Sequence, residues 1–365
     1  LYDLAEVASR VRRTAAIAII DHQYDTAAEL LARLSALSLG QREHAEVLNE
    51  LADAYNRAGR QPQALEPLAL SAEAARQNGW SDIQAAAALG RWGQSPYRAS
   101  RDRSVAPLLD EALSHEAGLD PRTTARLLAK RAAFTLFVDP LADRDRKSAR
   151  AEQLVGAEPT PERLEVLDAR WMAIACPATA LDLDALDEEI DEIRKQLGAL
   201  TTDACAPEIR LYWKGEGQTL AGLAADLKDD PRQRREVDQW RMTALDGMAS
   251  LFAGEFDAAR LHTDKALPLG REPWGEAGVV VHGLVHLIVD VLSDELGAES
   301  LQRWRGIAEA IPSDSMRATL AWVEALVGDD ARACHLLDSV APRLALLSDN
   351  FMGGFGLVGF AEAAV

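Results

Sequence analysis

Small residues recur along this chain at fixed distances from one another, and this recurrence constrains the fold more than any other feature. Ala64 has Ala52 twelve positions before it and Gly59 five positions before it. Two helices can pack closely where Ala or Gly lies at the point of contact, and a tight corner between them favours Gly. The spacing therefore predicts a hairpin of two helices with its corner at Gly59.

The same spacing occurs three more times, which indicates a repeat rather than a chance match in an Ala-rich chain. The further sets are Ala15 with Ala27, Gly247 and Gly254 with Ala259, and Ala321 and Gly328 with Ala333. The larger residues around the first set are Leu48, Leu51, Tyr55 and Leu68, and their positions resemble the tetratricopeptide spacing with Leu in place of Trp. We therefore predict an all-α fold, a right-handed superhelix of tetratricopeptide-like helix pairs (an α-solenoid). A single compact globule is the alternative.

The predicted pairs extend over the whole chain, so we expect one continuous helical-repeat array over residues 1–365. The repeats match best at about 1–80 and 232–348, whereas about 82–230 keeps helix pairs with a degenerate consensus. Alternation typical of strands is nearly absent. Because the chain begins with Leu1 and ends inside an expected helix, we expect it to be a piece of a longer protein.

Charge and composition exclude several functions. The formal net charge is −19, which argues against a concentrated basic face for a phosphate backbone, although Arg232, Arg234 and Arg235 cluster. The three cysteines are far apart and form no C-x-x-C pair, which favours a reducing cytoplasm and excludes the usual zinc spacings. Since no nucleophilic or acid–base constellation is recognisable, we expect no enzymatic activity.

Several stretches resemble the helical region that follows the ATPase module in large ATP-binding transcriptional regulators of the LuxR type. The stretches are Tyr24–Leu31, Ser104–Leu113, Thr124–Ala129, Trp240–Ala244 and Gly254–Arg260. The resemblance implies a cytoplasmic bacterial sensor or interaction arm whose ATPase and helix-turn-helix domains lie elsewhere in the parent protein. The absence of a G-x-x-x-x-G-K-[ST] loop agrees with that division.

The resemblance also implies the partners. They are an unknown small effector or protein and the ATPase domain of the same parent chain. The acidic charge and the missing phosphate loop themselves predict no direct nucleic-acid contact and no cofactor in this segment. The longest apolar run, Gly278 to Leu292, is too short to cross a membrane, so we expect no membrane contact. We predict a sensor arm that binds a small effector in the superhelical groove. The alternative is a protein–protein interaction scaffold or autoinhibitory module without a small ligand.

Four residues are expected on the inner wall, which the first helix of each pair lines. Asn49, Asp53, Asn56 and Arg57 point away from the apolar stripe of their predicted helix. The amides offer donors and acceptors, and Asp53 and Arg57 place opposite charges one turn apart. They are candidates for ligand or partner binding, and a solvated helix face is the alternative.

A second candidate set combines aromatic and basic residues in or beside predicted first helices. It comprises Trp92, Arg210, Trp213, Trp240 and Arg241. Trp and Arg together can form a flat groove with polar edges for a cyclic or aromatic ligand. Packing of the Trp rings between repeats is the alternative.

A third set, His282, His286 and Asp290, shares one helix face because its members lie four residues apart. Paired His at this spacing can chelate zinc, but the rest of an H-E-x-x-H motif is missing, so we expect no metal site. We expect instead a polar patch facing the groove, able to respond to pH. The acidic run Asp182–Glu192 is expected to be a solvated helix face.

Overall fold

The computed structural model describes residues 4–91, 105–135, 139–176, 179–198, 217–229, 236–270, 276–310 and 314–343. Within these ranges the chain forms seventeen α-helices, two short 3-10 helices and no strand. The prediction of an all-α fold is confirmed. None of the described helices is both long enough and apolar enough to cross a membrane.

The chain divides into two compact units. Unit 1 comprises Leu1–Arg131 and Arg150–Gly156, and unit 2 comprises Ala132–Ala149 and Ala157–Val365. The helices of unit 1 are α1 (Leu4–Ile20), α2 (Tyr24–Ser35), α3 (Gln41–Arg57), α4 (Gln61–Asn78), α5 (Ser81–Arg91) and α6 (Val105–Ser114). The division falls inside α7 (Pro121–Phe134) and α8 (Leu141–Val155).

Unit 2 holds the remaining described helices. They are α9 (Pro161–Ile174), α10 (Ala180–Leu197), α11 (Gly217–Asp229), α12 (Glu236–Phe252), α13 (Phe256–Gly270), α14 (Glu276–Leu292), α15 (Ala298–Ala310), α16 (Asp314–Leu326) and α17 (Asp330–Val340). One continuous array with a right-handed twist stays a prediction.

Helices in unit 1 pack mainly on their neighbours in sequence, as stacked hairpins require. In α1 to α5 each helix contacts the next, and α3 also contacts α5, the first helix of the following pair. Ala52 and Ala64 are buried in one cluster with Leu68, where α3 meets α4. The small residues therefore lie at the predicted contact between the two helices of a pair.

Unit 2 repeats this arrangement at the second well-matched region. There α12 packs on α13, α13 on α14, and α12 also on α14. A Cβ atom placed on Gly247 would lie 2.9 Å from Thr263 Cγ2 and 3.4 Å from the Ala259 carbonyl oxygen. Because a side chain larger than hydrogen would overlap α13 there, the predicted close approach of Gly247 and Ala259 is confirmed.

The corner glycines have the left-handed backbone that their position predicted. The φ angles are 77° at Gly59, 74° at Gly254 and 86° at Gly328. His22, five positions before Ala27, occupies the same place in the first hairpin with φ 59°. That corner carries no glycine in the sequence, so the spacing of small residues alone could not mark it.

The acidic run on α10 differs from its prediction at two positions. Asp187 is only 7% exposed. Glu189 accepts a hydrogen bond from Arg163 of α9, with 2.9 Å between Arg163 Nε and Glu189 Oε1. Helix α10 packs on α9, so part of the run faces a neighbouring helix and not solvent.

The corner geometry predicts opposite effects of one substitution at two sites in unit 2. Gly254→Ala should destabilise the protein by about 1–2 kcal/mol, because an L-residue is strained at positive φ. Gly306→Ala lies within α15 with open space around it and should stabilise by about 0.5–1 kcal/mol. Urea unfolding midpoints measure both changes, and shifts of the same sign would contradict the corner assignment.

The contact between α3 and α4 predicts that Ala64 does not tolerate a larger side chain. Ala64→Leu should cost about 1–3 kcal/mol of unfolding free energy through overpacking. The matched control is Ala69→Leu on the exposed side of the same helix, which should change it by no more than about 0.5 kcal/mol. Equal midpoints in thermal or urea unfolding would show that the repeat register is wrong.

Candidate functional site

A row of ion pairs crosses three first helices of unit 1. Arg12 of α1 donates to Glu50 of α3, with 2.9 Å between Arg12 Nε and Glu50 Oε1, and to Glu46 at 3.2 Å. Glu46 also pairs with Arg42, with 3.3 Å between Arg42 Nε and Glu46 Oε1. Arg42 in turn pairs with Asp82 of α5. The three helices therefore carry one connected network of charged side chains.

The same residues are accessible enough to meet a partner. We call Arg12, Arg42, Glu46, Glu50, Asp53, Arg57 and Asp82 the first-helix surface of unit 1; their side chains are half-buried or exposed. The guanidinium of Arg42 also lies 5.5 Å from the centroid of the Trp80 ring, a cation–π distance. Contacts on several sides restrict the conformations of these long side chains.

The two predicted asparagines hold one repeat to the next. Asn49 Nδ2 donates to the Ile83 carbonyl oxygen at 3.1 Å, and Asn56 Nδ2 donates to the Gly90 carbonyl oxygen at 3.0 Å. The donors are seven residues apart on α3 and the acceptors seven apart on α5, so both bonds join the same pair of helix faces. Their amide nitrogens thus bind the backbone of α5, a structural role that the sequence analysis did not foresee.

Asp53 and Arg57 remain at the surface of α3. They form an ion pair one turn apart, with 2.8 Å between Arg57 Nε and Asp53 Oδ2. Their side chains are half exposed. Asp53 and Arg57 are the two charged residues among the four that were predicted on the inner wall, and both side chains stay accessible.

Only two residues of the predicted Trp–Arg groove lie in the part of the chain that the structure describes. Trp92, Arg210 and Trp213 lie outside the described residues, as does the basic cluster at 232–235. Trp240 and Arg241 are buried, and the Trp240 indole lies against Gly270, where an added Cβ would overlap the ring. Trp240 therefore fills space between helices, as the packing alternative expects, and a ligand role for this set stays a prediction.

The two histidines meet a carboxylate that the sequence analysis missed. On α14, His282 Nε2 lies 2.8 Å and His286 Nε2 lies 3.0 Å from the same Oδ1 atom of Asp264 on α13. The two imidazole centroids are 4.3 Å apart. No signal in the local sequence singles out Asp264, because only the register of α13 against α14 brings it to the histidines.

Asp290 does not join the histidines, contrary to the expectation of one polar patch. It accepts hydrogen bonds from Arg260 at 2.8 Å (Nη2 to Oδ1) and from Ser300 at 2.6 Å (Oγ to Oδ2). Asp290 lies one turn beyond His286, where α14 contacts α15 as well as α13. Asp290 is therefore buried in a network that joins three helices.

The protonation states of the histidine cluster follow from its surroundings. Burial, and then the neighbouring His282, lowers the pKa of His286 below its usual value, although Asp264 acts in the opposite direction. Partial burial raises the pKa of Asp264, but its hydrogen bonds and electrostatic interactions with His282 and His286 outweigh this effect, so the pKa is lowered overall. Asp264 is thus a carboxylate and His286 a neutral base at neutral pH.

Comparisons with known proteins identify no family for this chain. No protein-family model matches it, and no curated protein matches it. A solved structure of the Cut9–Hcn1 hetero-tetramer of the APC/C is similar at 14% identity and a TM-score of 0.45, over 99% of this chain and 79% of that one. Yeast Tom70 is similar at 13% identity and a TM-score of 0.38, over 99% and 81%. Similarity this low says nothing of what the chain binds.

The asparagine contacts predict a stability effect that is separate from any binding role. Asn56→Ala should lower the unfolding free energy by about 0.5–1.5 kcal/mol, because the hydrogen bond from the buried Asn56 amide to the carbonyl of half-buried Gly90 is lost. Asp53→Asn, three residues away on the accessible side of α3, should change it by about 0.5 kcal/mol or less. Urea titrations followed by circular dichroism measure both, and equal losses would contradict the structural role of Asn56.

Proposed function

We propose that this chain is a protein-interaction array, not an enzyme, and that the first-helix surface of unit 1 binds a partner polypeptide in the cytoplasm. The observation that supports the proposal is the row of ion pairs from Arg12 through Glu46 and Arg42 to Asp82. Three successive first helices contribute to it, so a partner lying across them would contact charged groups held in place before binding. Such preorganisation reduces the entropy that binding must overcome.

The width of the first-helix surface suits a partner segment in an extended conformation. Packed helices lie about 8–10 Å apart, so three first helices span roughly 20 Å between their outer axes. An extended chain advances about 3.3 Å per residue, so roughly six residues would cross the surface. A contact of that length is small for a stable complex, which favours a reversible interaction.

The charges favour a basic partner. Four carboxylates, those of Glu46, Glu50, Asp53 and Asp82, face three guanidinium groups, and the whole chain has a net charge of −19. Carboxylates accept hydrogen bonds from Lys and Arg, and the long-range field attracts cationic segments. We therefore propose a partner segment rich in Lys or Arg whose association weakens as salt concentration rises.

Small-effector sensing receives less support. A site for a small molecule needs enclosure by convergent side chains. Among the described members of the Trp–Arg set, Trp240 is 7% and Arg241 is 9% exposed, so both offer little surface to a ligand. A small effector and a LuxR-type parent protein remain predictions from the sequence. Within such a parent, its ATPase domain is one candidate for the basic partner.

The proposal is tested with an array of immobilised twelve-residue peptides that vary in net charge. We expect the labelled chain to bind Lys- and Arg-rich peptides, and Asp53→Lys or Asp82→Lys to weaken the best of them at least tenfold, about 1.4 kcal/mol. The matched control is Glu66→Lys, the same charge change at an exposed site on α4. If the control weakens binding as much, the effect comes from net charge alone and the proposed surface is wrong.

A further inference from the structure

We propose that Asp264, His282 and His286 form a binding site for a divalent first-row transition-metal ion, with Zn²⁺ as the ion that suits it best. The site lies wholly in unit 2 and is independent of the interaction surface proposed for unit 1. It connects α13, the second helix of one pair, to α14, the first helix of the next.

The donor atoms are close enough to share one ion. The candidate ligand atoms of the three side chains all lie within 4.8 Å of one another. Zinc binds His nitrogen and carboxylate oxygen at about 2.0–2.2 Å, which in a tetrahedral site places the donors roughly 3.3–3.5 Å apart. The distances of 2.8 and 3.0 Å from Asp264 Oδ1 to the two Nε2 atoms need to widen by only about half an ångström.

The packing of the three side chains differs in a way that allows this adjustment. The His282 and His286 side chains are 15% and 8% exposed, so neighbouring residues hold the rings in place. Asp264 is 57% exposed and can rotate to admit the ion. Because Asp264 is open to solvent, we expect a water molecule to fill the fourth position of a tetrahedral site.

The donor set matches the chemistry of the ion. Two imidazoles with one carboxylate bind Zn²⁺ and other divalent transition ions, whereas Mg²⁺ and Ca²⁺ prefer oxygen ligands. A metal ion binds the unprotonated nitrogen of imidazole, and the Nε2 atoms of both histidines lie within 3.0 Å of the Asp264 carboxylate. The carboxylate of Asp264 supplies a negative charge directly at the site.

Other charges near the site largely cancel. The positive charge of Arg303 acts on His286 and would repel a metal ion bound there. Arg303, however, pairs with Asp290 at 3.5 Å and with Glu299 at 3.9 Å. Asp290 and Glu295 also neutralise the nearby Arg260. These carboxylates therefore offset much of the repulsion between the two arginines and a bound metal ion.

Calorimetric titration of the folded chain with Zn²⁺ in a non-chelating buffer tests the inference. We expect one ion at the site and a higher thermal unfolding midpoint, because the ion binds only the folded arrangement of α13 and α14. Asp264→Asn and His282→Ala should each weaken the site by at least about tenfold, as the loss of one of three ligands implies. Co²⁺ provides a second readout through its visible absorption, which should weaken in the same variants.

The controls separate this site from other zinc ligands. His335→Ala removes an exposed histidine on α17 and should leave affinity and midpoint shift unchanged. Asp264→Asn keeps a similar shape at an exposed position, so loss of binding there cannot be attributed to unfolding. Absence of Zn²⁺ binding by the wild-type chain would overturn the proposal and indicate a hydrogen-bonded cluster only. Equal affinity in wild type, Asp264→Asn and His282→Ala would overturn it as well.

Discussion

Close approach of helix backbones at small residues is the constraint on which the rest of this structure depends. Where Ala52 meets Ala64, and where Gly247 meets Ala259, the contacting residues carry no side chain larger than a methyl group, so the two helices of a hairpin can approach closely. Dispersion contacts and burial of the surrounding Leu side chains then become possible along the whole contact. The left-handed glycines at Gly59 and Gly254 allow the chain to reverse within a few residues, so this contact can form.

Polar side chains decide how one hairpin meets the next. Asn49 and Asn56 bind the backbone of α5, and Asp264 lies between two histidines of the following helix. In both cases a polar group on one helix finds its partner on another, and a shift of one turn would leave it unpaired. Asn56 and His286 are buried, and an unpaired buried polar group costs about 1–3 kcal/mol, so these contacts favour one register over its neighbours.

Buried ion pairs in unit 2 also favour one register of a helix against its neighbour. Asp168 of α9 pairs with Arg194 of α10 at 3.1 Å, with both side chains buried. Glu324 of α16 is fully buried and pairs with Arg305 at 2.7 Å and Arg332 at 2.9 Å. Such pairs add little net stability, but removing one partner leaves a buried charge. The acidic composition therefore includes carboxylates that join helices as well as those that face solvent.

The sequence by itself determined the helical class, the hairpins at the well-matched repeats and the corners that carry glycine. These features are local, since residues twelve or five positions apart belong to the same hairpin. Only the tertiary structure decided that Asn49 and Asn56 bind a neighbouring helix, that Trp240 packs on Gly270, and that Asp264, not Asp290, meets the two histidines. Spacing along one helix shows which residues share a face, but their partners depend on the rotation and register of another helix, which the packing of many side chains sets together.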